Sequence, residues 1–299
     1  MKVSQTLQEN WKDEVVSFSF EYFVPKTAQG VQNLLERIDR MKELHPLFVD
    51  VTWNAGGASR QPVTSTNELI GKAQKLYGLN TCMHLTCTGM SQEDVDLALS
   101  KAYNSGCRCI LALRGDALVD DEKWDPSSEK FMYARDLVKY IRAKYDDHFE
   151  IGVAGYPEGH PEQHDSEILI DHLKEKLDAG ASFVITQMFY DVENFLSWVD
   201  RCRVKGITAP IIPGIMPISN YASFVRRVKW CEIAVPKDIM CALDSVKDDE
   251  AAVRDLGVDI MANMCKTIME RGHIYHLHFY TMNLEKSTKS IMDHLGVTY

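Results

Sequence analysis

The sequence predicts an α/β protein, a (β/α)8 TIM barrel with extra helical segments before the last strand. Three observations lead there. Eight short β-prone runs alternate with stretches of helical periodicity, the pattern of a parallel sheet built from βα units. The 299 residues are close to what one such barrel uses, and no linker, repeat or low-complexity segment divides them. No G-x-G-x-x-G follows the first strand and no P-loop occurs, which weighs against an open dinucleotide-binding sheet.

Val15–Glu21 (V-V-S-F-S-F-E) alternates and is rich in β-formers, so it reads as the first strand. Gly30–Leu44 carries Val31, Leu34, Leu35, Ile38 and Met41 at helical spacing. Leu47–Trp53 is the second strand, ending in Asn54-Ala55-Gly56-Gly57. Ser65–Tyr77 reads as a helix, with Ser65 placed to cap it and Glu68 three residues on. Asn80–Cys87 is a strand and Ser91–Asn104 a helix capped by Ser91. Arg108–Leu113 is a strand whose run Cys109–Leu113 is apolar on both faces, as a strand buried between layers is, and it breaks abruptly into Arg114-Gly115-Asp116.

After a polar loop, Asp116–Ser128, the alternation resumes. Glu129–Tyr145 is helix, Phe149–Gly155 strand, Ser166–Ala179 helix and Ser182–Phe189 strand. Val192–Val204 is helix, Pro210–Met216 strand and Asn220–Cys231 helix. Lys237–Arg271 reads as two or three helical segments before the last strand, Tyr275–Met282, and a closing helix, Lys286–Leu295.

Composition narrows the partners. Apolar residues are 45% of the chain and charged residues 25%, ordinary for a soluble globular protein. A formal charge of −10 argues against a general nucleic-acid or anionic-membrane binder, since both want a basic face. The eight cysteines include Cys82, Cys109 and Cys241 in apolar stretches, and no C-x-x-C occurs, so neither a disulfide framework nor a zinc knuckle is expected. Met1–Glu14 is polar with no apolar h-region, and no apolar run approaches a membrane span. The expectation is a reduced, cytoplasmic protein whose partners are small molecules.

In a barrel the chemistry lies where strands end. Those ends carry Glu21, Thr52, His84 with Thr86, Arg114 with Asp116, Tyr156-Pro157-Glu158-Gly159-His160, Gln187, Pro217–Tyr221, and Tyr280 with Asn283. No Ser-His-Asp arrangement is among them. Glu21 leaves a strongly apolar strand, where desolvation raises a carboxyl pKa toward that of a general acid, although a salt-bridged strand-end carboxylate fits the position equally well. His160 and His164 are four apart but Pro161 interrupts them, which rules out the helical zinc-protease geometry. His276 and His278 share a strand face, yet no carboxylate stands at ligand spacing in the sequence, so no metal is expected. Tyr133 and Tyr156 suit either core packing or stacking on a ring.

These strand ends match a known pattern. S-F-E-Y-F (19–23), V-T-W-N-A-G-G (51–57), H-L-T-C (84–87), L-R-G-D (113–116), Y-P-E-G-H-P-E (156–162), I-T-Q-M-F-Y-D (185–191), P-G-I-M-P-I-S-N-Y (213–221) and H-F-Y-T-M-N (278–283) together resemble the methylenetetrahydrofolate reductases. Any one of these motifs is unspecific; eight in order, from Ser19 to the C-terminus, are very specific. The resemblance implies non-covalent FAD and hydride from NADH or NADPH. It also implies reduction of 5,10-methylenetetrahydrofolate to 5-methyltetrahydrofolate by double displacement, within one-carbon metabolism and methionine biosynthesis. By resemblance, Glu21 is the general acid and Asp116 the carboxylate beside flavin and pterin. Thr52, His84, Arg114, Gly115, Asp116, Tyr133, Tyr156, His160 and Lys176 match FAD-binding positions. Gln187 matches the amide that binds folate, and Tyr221 an aromatic that packs on the substrates.

Leu169 stands where family members often have Asp, and Leu284 where many have Arg. The larger eukaryotic members carry a C-terminal regulatory domain binding S-adenosylmethionine; residues 1–299 read as the catalytic barrel alone, a possible homo-oligomer. Two other readings stay open on the residues themselves. One is a different flavin-dependent barrel oxidoreductase; the other is a barrel that binds folate or flavin without turnover.

Overall fold

The computed structural model describes residues 2–53, 64–115 and 130–297. Its strands, all parallel, are β1 Ser17–Tyr22, β2 Phe48–Val51, β3 Thr81–Thr86, β4 Cys109–Leu113, β5 Glu150–Gly155, β6 Phe183–Thr186, β7 Ile211–Ile212, β8 Gly214–Ile215 and β9 His276–Tyr280. They hydrogen-bond in the order β7-β6-β5-β4-β3-β2-β1-β9-β8. The two ends of that order are halves of one strand: Ile211–Ile212 pair with β6, and Gly214–Ile215 pair with β9. The sheet therefore curls round to a nearly closed barrel, as expected.

The difference from expectation is the break inside the seventh strand. Pro213 has no N–H to give to a ladder. Its carbonyl still accepts from His278 N at 3.1 Å, so the seam between the last two sequence strands is held on one side of the proline.

The helices are α1 Val3–Lys12, α2 Ala28–Met41, α3 Thr66–Tyr77, α4 Gln92–Ser105, α5 Ala134–Tyr145, α6 Ser166–Asp178, α7 Val192–Val204, α8 Tyr221–Trp230, α9 Lys237–Ser245, α10 Glu250–Gly272 and α11 Lys286–His294. Ser65 and Ser91 each cap a helix through a reciprocal capping box, with Glu68 and Asp94 respectively. The extra segment before the last strand resolves into two helices, α9 and α10. Among the described residues no helix is long and apolar enough to cross a membrane.

Helix α1 is not foreseen by the sequence, where Met1–Glu14 reads only as polar. Its apolar signal is Val3, Leu7 and Trp11, each one turn apart. Val3 and Leu7 bury against Phe48, Cys82, Cys109 and Phe183, which line the inside of the barrel. Backbone N–H groups of Val3 and Ser4 donate to the Glu150 carboxylate, the Ser4 bond at 2.8 Å, placing an anion where a helix start has unpaired donors. This helix lies against the inner residues at the amino ends of the strands, opposite the ends that carry the candidate site.

Alternation along each strand divides the side chains into two sets. Phe18, Phe20, Val49, Val51, Met83 and Leu85 point outward into the large core shared with the helices. The residues between them point into the barrel.

Candidate functional site

The inward set on one side of the barrel is polar. β1 turns Ser17, Ser19 and Glu21 to the interior, and the register sets Ser17 beside His276, Ser19 beside His278 and Glu21 beside Tyr280. On its other side Glu21 pairs with Asp50 of β2. The resulting contacts form a line. Ser17 Oγ lies 2.7 Å from His276 Nδ1, His276 Nε2 2.9 Å from Ser19 Oγ, and Ser19 Oγ 2.8 Å from His278 Nδ1. His278 Nε2 then faces Asp50 Oδ2 at 3.6 Å. His84 Nε2 bonds that same oxygen at 2.9 Å and stands 3.7 Å from Glu21 Oε2.

Burial governs the charges here. Glu21 is only 6% exposed, and desolvation raises its pKa to about 8, against the pull of His84 and helped by the nearby Asp50. Burial therefore favours the protonated form of Glu21. Burial alone would lower the His84 pKa, but the Asp50 charge and hydrogen bond, with Glu21, outweigh it and hold His84 above its ordinary value. Burial pushes His276 well below the usual imidazole range, with His278 adding to the effect. It lowers His278 too, against the attraction of Asp50. Phe48 stacks on both of these rings, at 5.7 and 6.1 Å.

The rim of the barrel carries the other expected residues. Thr52 follows β2, and its carbonyl accepts from Thr66 Oγ1 at 2.8 Å. Arg114 pairs with Glu162 at 2.5 Å, tying the end of β4 to the loop after β5. Gly115 has φ +90°, and a Cβ there would come 2.9 Å from Thr86 Cβ, so the turn needs glycine twice over. Tyr156 meets His160 edge to face at 4.9 Å, and Lys176 Nζ lies 5.7 Å from the Tyr156 ring centroid. Lys176 reaches in from α6 and donates to the Ala154 carbonyl at 2.6 Å. Its stem is partly exposed but its ammonium is sheltered, and desolvation lowers its pKa to about 8. Tyr133 begins α5 with its ring 40% exposed.

Gln187 ends β6 exposed to the mouth, and Tyr221 starts α8 with its hydroxyl donating to Asp244. The structure thus gathers Glu21, Thr52, His84, Arg114, Gly115, Tyr156, His160 and Gln187 at the carboxyl ends of the strands or the loops that follow them, with Lys176 reaching in from α6 and Tyr133 and Tyr221 at helix starts. Asp116 and the segment Asn54–Gly57 lie outside the described residues.

The rim donor set suits a dinucleotide. Lys176 is a sheltered cation with no carboxylate paired to it among the described residues, the environment a phosphate would complete. Arg114 and His160 add donors, while Tyr133 and Tyr156 offer ring faces.

With that geometry in hand, the relatives fall into place. Residues 5–296 match the family model for methylenetetrahydrofolate reductase. The chain belongs to the methylenetetrahydrofolate reductase family. Methylenetetrahydrofolate reductase 2 of Saccharomyces cerevisiae is 50% identical over 99% of this chain and 50% of its own length. A 5,10-methylenetetrahydrofolate reductase of Pectobacterium carotovorum is 36% identical over 94% of this chain and 91% of its own. The chain spans about half the length of the first of these and most of the second. Relatives named as NADH and as NADPH forms both occur. Among solved structures, a Clostridium thermocellum protein that binds two copies of 5-methyl-5,6,7,8-tetrahydrofolic acid superposes with TM-score 0.63 over 96% of this chain and 97% of its own. Its 13% identity makes that a likeness of fold.

Sequence reasoning missed part of this polar cluster. Asp50 sits in F-V-D-V and reads there as one polar residue in a strand. Ser17 and Ser19 read as the polar phase of an alternating strand. The signal was available: a carboxylate inside an apolar run is seldom buried without a partner. Tyr280 is a second omission of detail. Its hydroxyl donates to the Thr186 carbonyl at 2.6 Å, and its ring covers Gly214, where a Cβ would lie 2.5 Å from it. Leu169 lies part-buried on α6, and Leu284 is 51% exposed after β9.

Proposed function

We propose that this chain reduces 5,10-methylenetetrahydrofolate to 5-methyltetrahydrofolate, with non-covalent FAD and hydride from NADH or NADPH. The observation that carries the reading is Glu21: a carboxyl group that keeps its proton at neutral pH, buried where a barrel strand meets its mouth. Membership of the family supports the substrate, and the bacterial relative of nearly the same length supports activity from a chain of this size.

When bound, FAD supplies the two-electron carrier that no side chain provides, and the protein's part is positioning and proton transfer. Lys176, Arg114 and His160 would hold its phosphates, with Gly115 and Thr52 at the turns beside it and Tyr133 and Tyr156 on its rings. The folate's five-membered ring opens only when its departing nitrogen is protonated, and Glu21 delivers that proton. Asp116, ionised, offsets the positive charge of the opened iminium. Gln187, exposed at the end of β6, presents an amide to the pterin, and Tyr221 an aromatic face above it. His84, held by Asp50, would add a contact to the bound flavin.

Purified protein should be yellow, bleach anaerobically with NADH or NADPH, and recover its colour when methylenetetrahydrofolate is added. Protein that takes up no FAD, with no rise in Tm on adding it, overturns the reading. Bleaching without recovery would point to another flavin oxidoreductase.

A further inference from the structure

Three polar side chains meet inside the barrel. One carboxylate oxygen each from Glu21 and Asp50 and one ring nitrogen of His278 lie within 4.8 Å of one another, and all three residues are buried. Asp50 Oδ1 and His278 Nε2 have no hydrogen-bond partner, although both residues are fully buried. Unsatisfied buried polar atoms are costly, and His278 Nε2, one of the two, lies 3.6 Å from Asp50 Oδ2.

The support around His278 sharpens the case. A metal-binding imidazole is normally oriented by a hydrogen bond at its other nitrogen. His278 Nδ1 has that bond, 2.8 Å to Ser19 Oγ, and Ser19 is itself held by His276 Nε2 at 2.9 Å. With Nδ1–H donating to Ser19, the lone pair of Nε2 points at Asp50. Phe48 stacks flat on the ring and restricts its rotation. Two carboxylates and an imidazole form an oxygen–nitrogen donor set, which suits first-row divalent cations rather than soft monovalent ones.

We propose that Glu21, Asp50 and His278 form a binding site for one divalent transition cation, which displaces the proton from Glu21 and so competes with its use as an acid. The exchange balances simply: the Glu21 O–H bond breaks, its proton leaves to solvent, and the freed oxygen binds the cation. His84 Nε2 lies 2.9 Å from Asp50 and 3.7 Å from Glu21, and Tyr280 neighbours Glu21 on β9. The inhibitory consequence rests on the function proposed above; the binding site does not.

The test uses Zn2+ and Co2+ on the full chain carrying FAD, in a Cys241→Ser background that removes the one exposed thiol among the described residues. Calorimetry should give one saturable Zn2+ equivalent, and Co2+ should show the visible absorption of a low-coordinate site. Asp50→Asn and His278→Gln should each weaken Zn2+ binding about tenfold or more. Circular dichroism on both variants checks that they fold, and Glu21→Gln provides a third variant with the same expectation. Absence of saturable binding, or binding unchanged in all folded variants, overturns the site. If Zn2+ binds as described but leaves methylenetetrahydrofolate reduction untouched, the competition with Glu21 is overturned while the site stands. If Glu21→Gln itself leaves that reduction untouched, the functional reading fails and the metal site is judged on binding alone.

Discussion

The two halves of the barrel interior are built on opposite principles. Along β1, β2, β3 and β9 the polar inward residues are Ser17, Ser19, Glu21, Asp50, His84, His276 and His278, tied in one line. Along β4, β6 and β7 they are Cys109, Leu111, Phe183, Ile185 and Ile212, packed with Phe48 and Cys82. Both halves are equally dry. In the apolar half, dryness is the source of stability, because each side chain is removed from water without leaving a polar group behind. In the polar half, dryness raises the cost of charge, and that cost keeps the proton on Glu21. The lesson is that the same burial stabilises one side of the barrel and makes the other reactive.

The largest expected effect tests the apolar half. Phe183→Ala should cost about 3–5 kcal/mol, read as a drop in Tm or denaturation midpoint, because its ring packs between the strands against Phe48. It should leave the pH dependence of turnover unchanged. A shifted pH profile would mean the two halves are coupled and the comparison is too sharp.

Glu21→Gln tests the polar half. Reduction of FAD by the nicotinamide needs no protonated folate and should survive, while folate reduction should fall about a hundredfold or more. Equal slowing of both steps in stopped flow would make Glu21 structural. The same variant should be more stable than the parent at alkaline pH. The Glu21 pKa is raised in the folded state from 4.5 to about 8, so the unfolded chain releases this proton first as pH rises. The stability contributed by protonated Glu21 is complete below about pH 4.5 and is lost as pH rises to about 8. Glu21→Gln should therefore gain on the order of a few kcal/mol relative to the parent across that window. A stability difference that does not change with pH would contradict the burial argument.

Two rim variants sharpen the contrast between interior and mouth. Lys176→Met keeps the stem and removes the cation, so FAD affinity should fall about tenfold or more, measured by quenching of flavin fluorescence. Unchanged affinity would remove Lys176 from the phosphate site. Gly115→Ala should cost about 1–2 kcal/mol from its positive φ, with Thr86 crowding the new Cβ. A neutral outcome in thermal melts would show that this turn relaxes readily.

Much of the fold is readable in the chain. Alternation in V-V-S-F-S-F-E, helical spacing in 30–44 and the capping pairs at Ser65 and Ser91 depend on neighbours within a few residues, so they appear in a linear string. Helix α1 escaped because its buried Val3 and Leu7 gain their meaning from Phe48 and Phe183, far along the chain. Strand seven escaped in part because a proline inside a short apolar run marks a break only when its two halves pair with different partners.

The same division holds for the site. The sequence by itself determined the order of strands and helices, the polar residues that would stand at the strand ends, and the family through motifs placed in register with those ends. Only the tertiary structure decided that Asp50 meets His84 and faces Glu21, and that His278 turns one nitrogen to Ser19 and the other to Asp50. Those pairings join residues far apart in the chain, Ser19 and His278 at a separation of 259. The protonation state of Glu21 follows from them, because a pKa depends on the dielectric and charges within a few ångströms, and that neighbourhood exists only after the barrel closes.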